Sequence, residues 1–521
     1  PTLTGINTYT GDTEIDGGTL AVFEDANFGQ DVSNSIIIGD ATLRLDESFD
    51  TTRGIKLTNA NSTIDVFDDG VNTLTGKLTG TGALNKAGTG TLVLSGTNDY
   101  QGGTDIKAGI LQISDDTNLG IATGAVTIDG EAELQFSQGV TSARGITLGT
   151  TGSTIDTMAG TSTLSGVVGG GELHKSGVGT LVLAGTNTYK GTFLDGGIVQ
   201  ISKDENLGAT SGAVTFNGGT LQLSADVTTA RAMTINDAGG LIDTQGNTGT
   251  LGGILSGTGE LTKDGTGTLV LTNAGNSYSG NTFIKEGTLR LSGAGWITGD
   301  VTNDGTLEFS SSAYQEFTGV ISGTGSVVQS GTGTTITLSG QNAYSGGTSI
   351  TAGTLAISED DNLGTGALSI ANGATLKLTN SFAFSHAVTL NDGGVVDTGT
   401  NSNTLAAVVS GTGGLTKTGS GLLTLSGTNT YAGGTTINGG ILQISADANL
   451  GEASGSVTMA GGTTLELANG VTMDRTFTLN GDATIQTDEG TSTISKVISG
   501  DGGLTKAGEG AYFRIRGQRF H

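Results

Sequence analysis

The chain has 521 residues, with 94 glycines, one proline and no cysteine, and a formal charge of −27. The missing Gly-X-Y period and scarce proline exclude collagen, and the ordered alternation of apolar residues excludes a disordered chain. So acidic a surface argues against nucleic acid and anionic membranes as partners, and no apolar run approaches the ~18 residues of a membrane helix.

The chain opens inside a repeated phrase. Residues 3–13 (LTGINTYTGDT) are the tail of one copy, and residues 80–103 (GTGALNKAGTGTLVLSGTNDYQGG) give the fullest form. The phrase returns at residues 169–191, 257–280, 323–347 and 411–434. Its tyrosines, Tyr9, Tyr100, Tyr189, Tyr278, Tyr344 and Tyr431, lie 91, 89, 89, 66 and 87 residues apart. The short interval predicts an underlying period of about 22 residues, four coils to a long repeat and three to the short one. Because the chain begins mid-repeat, it is expected to be a fragment, with any targeting segment upstream.

A second phrase follows each tyrosine except Tyr278. It reads LAVFEDANFG at residues 20–29, LQISDDTNLG at 111–120, VQISKDENLG at 199–208, LAISEDDNLG at 355–364 and LQISADANLG at 442–451. Each predicts a strand running into an acidic turn closed by Asn-Leu-Gly or Asn-Phe-Gly. Around these turns, alternation predicts short half-buried strands. In residues 91–95 (TLVLS), Leu92 and Leu94 face one way while Thr91, Val93 and Ser95 face the other. Residues 110–114, 125–128 and 220–224 behave alike, and no helical stripe is evident.

Short strands on such a period predict an all-β fold, a right-handed parallel β-helix (a solenoid) of about 22 residues per coil and four-coil repeats of about 89. Residues 1–510 are expected to form one continuous body. The last copy begins normally at residues 500–510 (GDGGLTKAGEG), then breaks into AYFRIRGQRFH. That tail, residues 511–521, holds three of the nine arginines and is set apart as aberrant.

Candidate chemistry is sparse. His174 stands where other copies carry Asn85, Thr262, Val328, Thr416 and Thr505, a variable position expected to be exposed. His386 stands where they carry Arg53, Arg144, Arg231 and Arg475. Eleven or twelve residues further on come Asp65, Asp156, Asp243, Asp397 and Gln486. This recurrence predicts an ion pair, or a corner whose carbonyls a guanidinium satisfies.

Asp115, Asp116, Asp204, Asp360, Asp361 and Asp447 recur in the acidic turns and are expected to be solvated. They offer oxygens of the kind calcium takes, but the Gly-Gly-x-Gly-x-Asp nonapeptide is absent. No serine sits in a nucleophile elbow with a histidine partner. The repeated tyrosines are expected to pack at corners instead of forming a binding surface. No catalytic, cofactor-binding or metal-binding residue is assigned.

The consensus G-x-G-x-L-x-K-x-G-x-G-x-L-x-L-S-G-x-N-x-Y-x-G-G-T, followed by L-x-I-S-x-D-x-N-L-G, resembles the passenger-associated transport repeat of bacterial autotransporters. The resemblance covers residues 1–510, although Gln329 departs from the lysine seen as Lys86, Lys175, Lys263, Lys417 and Lys506. It implies an extracellular β-helical passenger of a Gram-negative bacterium, exported through the outer membrane by a C-terminal β-barrel that this chain lacks. The expected role is a rigid surface stalk or adhesin, not an enzyme. Its expected partner is a host or abiotic surface, or a like molecule on a neighbouring cell, with no nucleic acid and no small-molecule substrate. The alternatives are a β-helical carbohydrate-active enzyme and a self-associating aggregation factor.

Overall fold

The computed structural model describes residues 1–468, 470–510 and 512–515, the last four through their backbone. It divides into two compact units, Pro1–Gly267 with Ser277–Gly280, and Thr268–Asn276 with Asn281–His521. Within each, short strands pair in parallel with the strand one coil on, forming a β-solenoid. The helical pieces among the described residues are five single 3₁₀ turns, and these are the acidic turns. From the tail, Tyr512–Ile515 forms a strand in parallel register with Thr491–Ile494. The rest of residues 511–521 lies outside the described residues.

The expected alternation is present. Leu92, Leu94, Leu111, Ile113, Val126, Ile128, Leu221 and Leu223 are all buried. Stacking turns them into columns: in the first unit Leu74, Leu94, Ile113 and Phe136 share one register position on successive coils. In the second unit Leu355, Leu376 and Val396 do the same. Each buried Leu contributes about 1.5–3 kcal/mol, so the core grows with the number of coils.

Coil length varies. Leu94 to Ile113 is a step of 19 residues, and Ile113 to Phe136 a step of 23. The four coils of a long repeat also come with one face more. Starting at Leu92, the register passes through Leu111, Leu134 and Ile155 to Lys175, four coils on. The sister of Leu92 is Leu181, which lies in the adjacent sheet. The second unit repeats this: Ile336 leads through Leu355, Leu376 and Val396 to Lys417, while its sister Leu423 lies one sheet further. From Leu269, three coils reach Val327, and the sister Ile336 again lies one sheet further. The short repeat therefore lacks one whole coil and keeps the same advance. Within each unit, equivalent residues of successive repeats face different directions.

Candidate functional site

The recurring phrases build one corner again and again. At the acidic turn, Asn118 is buried, and its Oδ1 accepts from the backbone N–H of Ser114 (3.0 Å) and Asp115 (2.9 Å). Its Nδ2 donates to Gly96 O, 3.0 Å away in the preceding coil. Asn98 reaches both ways: its Oδ1 accepts from Leu78 N–H at 2.8 Å and its Nδ2 donates to Asn118 O at 2.6 Å. These two asparagines tie three coils together, satisfying backbone groups that strands leave open at corners. Asn187 with Asn206, Asn342 with Asn362 and Asn429 with Asn449 repeat the arrangement.

The tyrosine closes the corner. Tyr100, Tyr189, Tyr278, Tyr344 and Tyr431 are at most 1% exposed, whereas Tyr9 is 38% exposed. The Tyr100 hydroxyl lies 2.6 Å from Thr104 Oγ1. Burial pushes the Tyr431 hydroxyl up to about 12, and raises those of Tyr100, Tyr189 and Tyr344 as well. The tyrosine backbone explains the glycine of Asn-Leu-Gly. Gly120 has φ +75°, and a Cβ there would meet Tyr100 O at 2.4 Å. Only glycine combines that conformation with so close an approach.

The arginine fills the middle of the corner. The Arg144 side chain is 1% exposed, and its Nε donates to Asp116 Oδ1 at 2.9 Å. Nη1 donates to Ile121 O (2.5 Å) and Gly124 O (3.0 Å), and Nη2 to Asp116 O (3.1 Å) and Gly120 O (2.9 Å). Arg53 pairs likewise with Asp25, Arg231 with Asp204 and Arg475 with Asp447. A corner whose carbonyls the guanidinium satisfies is thus the arrangement found, but the acid partner is not the one expected. It lies in the acidic turn of the preceding coil, 28 residues before Arg144, and not in the aspartate twelve residues after it. These turn carboxylates are consequently engaged, not simply solvated.

The later aspartates belong to the lysines. Lys86, Lys175, Lys263 and Lys417 are fully buried, inside the inward columns of apolar residues. Lys175 Nζ donates to the carbonyls of Ser176 (2.5 Å), Gly177 (3.1 Å) and Gly196 (3.3 Å). Lys417 makes the equivalent bonds to Thr418, Gly419 and Gly439. Burial pulls Lys86, Lys175 and Lys417 down to about 8, while Asp65, Asp156 and Asp397 respectively pull upward. In register, Ile155 faces Lys175 and Asp156 faces Ser176, so the acid lies on the outward side of the strand and acts on the inward ammonium through its charge. Where Gln329 replaces the lysine, the aspartate's register position holds Ser310. Acid and lysine disappear together in that copy. The signal for these buried cations was present in Leu-x-Lys, since Leu84 and Lys86 share one side of an alternating strand.

Outward side chains form short polar ladders. Gln200 Nε2 donates to Gln222 Oε1 at 2.5 Å, and Gln222 Nε2 to Asp243 Oδ2 at 2.8 Å. Gln135 bridges Glu133 and Asp156, and burial followed by the Asp156 charge lifts Glu133 to about 7. His174 is half-buried, stacks on Phe193 at 4.4 Å and lies 2.9 Å from Asp195. Its sister Asn85 is buried, bonded to Ala60 O and Ser62 O, so that position is not uniformly exposed. His386 sits in the arginine corner, 3.0 Å from Gly366 O and 3.6 Å from Asp360 Oδ1. Among the described residues, no three His, Cys, Asp or Glu side chains gather as a metal would need.

Comparison with known proteins matches this geometry to a family. The family described as Passenger-associated-transport-repeat matches residues 2–22, 84–113, 173–201, 261–291, 327–357 and 415–444. Every match but the first begins at or near the strand that carries the lysine or Gln329, and every match but 261–291, whose repeat has no acidic turn, ends before one. The chain is also 30% identical, over 477 residues, to a protein of Brucella suis biovar 1 (strain 1330) named Adhesin BmaC autotransporter. That match takes in 77% of this chain and 13% of the relative.

Proposed function

We propose, from the premise that the chain is an autotransporter passenger segment with passenger-associated transport repeats, that it is a rigid adhesive stalk on the surface of a Gram-negative bacterium. The observation that carries this reading is the inward placement of the repeated polar residues. Arginine, asparagine and tyrosine are used within the corners and lysine within the inward columns, which leaves a framework and no recurring catalytic group among the described residues. The name of the relative supports the adhesive half of the proposal. The advance of one face per repeat supports contact in several directions along the stalk. The surface gripped is that of a host or an inert support.

Association with a like molecule is a second reading, favoured by one observation. Val167, Ile254, Val320, Val408 and Val497 occupy equivalent positions and are 38–60% exposed, one apolar side chain in each of five copies, with Lys77 in that place before the copy at residues 80–103. Isolated exposed aliphatics are common, so this reading stands second.

Both are tested by displaying the chain on non-adherent cells through a transport barrel and measuring attachment and clumping. Attachment is expected, and removing residues 91–179, one whole repeat, is expected to weaken it. Attachment and clumping equal to cells bearing the barrel alone would overturn both readings.

A further inference from the structure

The corner at His386 differs from its four sisters in two ways. The arginine is absent, and the loop over the corner is shorter. Between the glycines that supply carbonyls, the sister corner has Ile121, Ala122 and Thr123 (from Gly120 to Gly124), whereas this one has Thr365 alone (from Gly364 to Gly366). A cleft of about 400 Å³ opens there, lined by Asn342, Asp360, Asp361, Thr365, Ser385 and His386, among others.

The imidazole fills only the near half of the arginine's place. His386 Nδ1 takes Gly366 O, the equivalent of the Arg144 bond to Gly124 O. Its Nε2 reaches Asp360 O only at 3.4 Å. Gly364 and Thr365 hold the places in the phrase of Gly120 and Ile121, whose carbonyls receive Arg144, although here the turn ends at Asn362, Leu363 is extended and Gly364 lacks the left-handed φ of Gly120. Among the described residues no protein donor reaches either of them. Ser385 binds the Asp360 carboxylate through its N–H (2.9 Å) and hydroxyl (2.5 Å), but supplies no positive charge. Two carboxylates, Asp360 and Asp361, therefore face a cleft with two free carbonyls and no guanidinium.

We propose that this cleft is a receptor site for a guanidinium group. The chain supplies the precedent itself: at Arg53, Arg144, Arg231 and Arg475 the turn glycine's carbonyl, in the place of Gly364, and the aspartate in the place of Asp360 hold a planar, five-donor cation. The fork geometry matches a carboxylate flanked by carbonyls, which an ammonium does not reproduce. The group would come from a free guanidino compound or from an arginine side chain on another polypeptide.

The test is calorimetric titration of the whole chain with N-methylguanidinium, with methylammonium, with calcium, and with a blocked tripeptide carrying a central arginine. One saturable site is expected for N-methylguanidinium, with methylammonium weaker by roughly tenfold or more. His386→Arg, which puts the chain's own guanidinium in the place, is expected to abolish the titration and raise the melting temperature. Asp360→Asn keeps the imidazole and is expected to weaken binding roughly tenfold. Saturation by the tripeptide as well assigns the site to a polypeptide arginine, and its exclusion to a free compound. Three results would overturn the proposal: no saturation by N-methylguanidinium, unchanged binding in His386→Arg, or methylammonium or calcium binding as tightly.

Discussion

Arg144→Met is the sharpest test of the corner. Methionine keeps an unbranched stem to pack in place of the arginine's methylenes but removes all five donors. The loss leaves the carbonyls of Ile121, Gly124, Asp116 and Gly120 and the Asp116 carboxylate without their cation. Breaking a buried ion pair by removing one partner costs about 3–5 kcal/mol. Asp116 is 22% exposed, so water takes up part of the loss and about 3 kcal/mol is expected. The loss should be local, because each coil packs mainly on its neighbours. Native-state hydrogen exchange reads it at the amides of Ile121, bonded to Tyr100 O, and Gly124, bonded to Ile121 O. Their protection should fall by roughly 150-fold, at tenfold per 1.4 kcal/mol. The amide of Ala209, bonded to Tyr189 O in the next corner, is the internal control and should hold. A fall of less than about tenfold at Ile121, or an equal fall at Ala209, would refute the reasoning.

Three further outcomes are expected. Lys175→Gln alone should destabilise more than Lys175→Gln combined with Asp156→Ser, the pair of residues the chain already uses at Gln329 and Ser310. The coupling should be about 1 kcal/mol by double-mutant cycle, and additive values would separate the two side chains. Gly120→Ala should cost about 2–3 kcal/mol, because φ +75° and a 2.4 Å approach to Tyr100 O leave no room for a Cβ; an unchanged urea midpoint would count against that contact. The lysines also set a pH response. With Lys86, Lys175 and Lys417 near 8 when folded and 10.5 as the ordinary value, the unfolded chain binds more protons between those limits. Stability should therefore rise from pH 8 toward 10, with unfolding near pH 9 taking up about 0.9 proton per lysine. Above that, the raised tyrosines act oppositely, since the unfolded chain loses phenolic protons first and stability is lost. A flat profile from calorimetry in two buffers of different ionisation enthalpy would contradict the lysine burial.

The fold was legible because its signals are local. Alternation marks Leu92 and Leu94 as inward from five residues of sequence, and the missing residues of the short repeat reveal a coil small enough to be lost whole. The corner was legible in part. That Arg144 satisfies carbonyls follows from its chemistry, but its acid lies in another coil. A spacing of twelve residues suggested Asp156, whereas stacking brings Asp116. The buried lysines were present in Leu-x-Lys and went unused, because an ammonium in an apolar column runs against the usual expectation for charge.

The sequence by itself determined the strand class, the repeat, the turn glycines and the family. Only the tertiary structure decided which coil supplies each partner and which way each repeat faces. The physical reason is that coils run from 18 to 23 residues, and a repeat closes on four coils and one face instead of a whole number. Lateral neighbours are then set by accumulated corner lengths, a sum over many turns that no single motif contains.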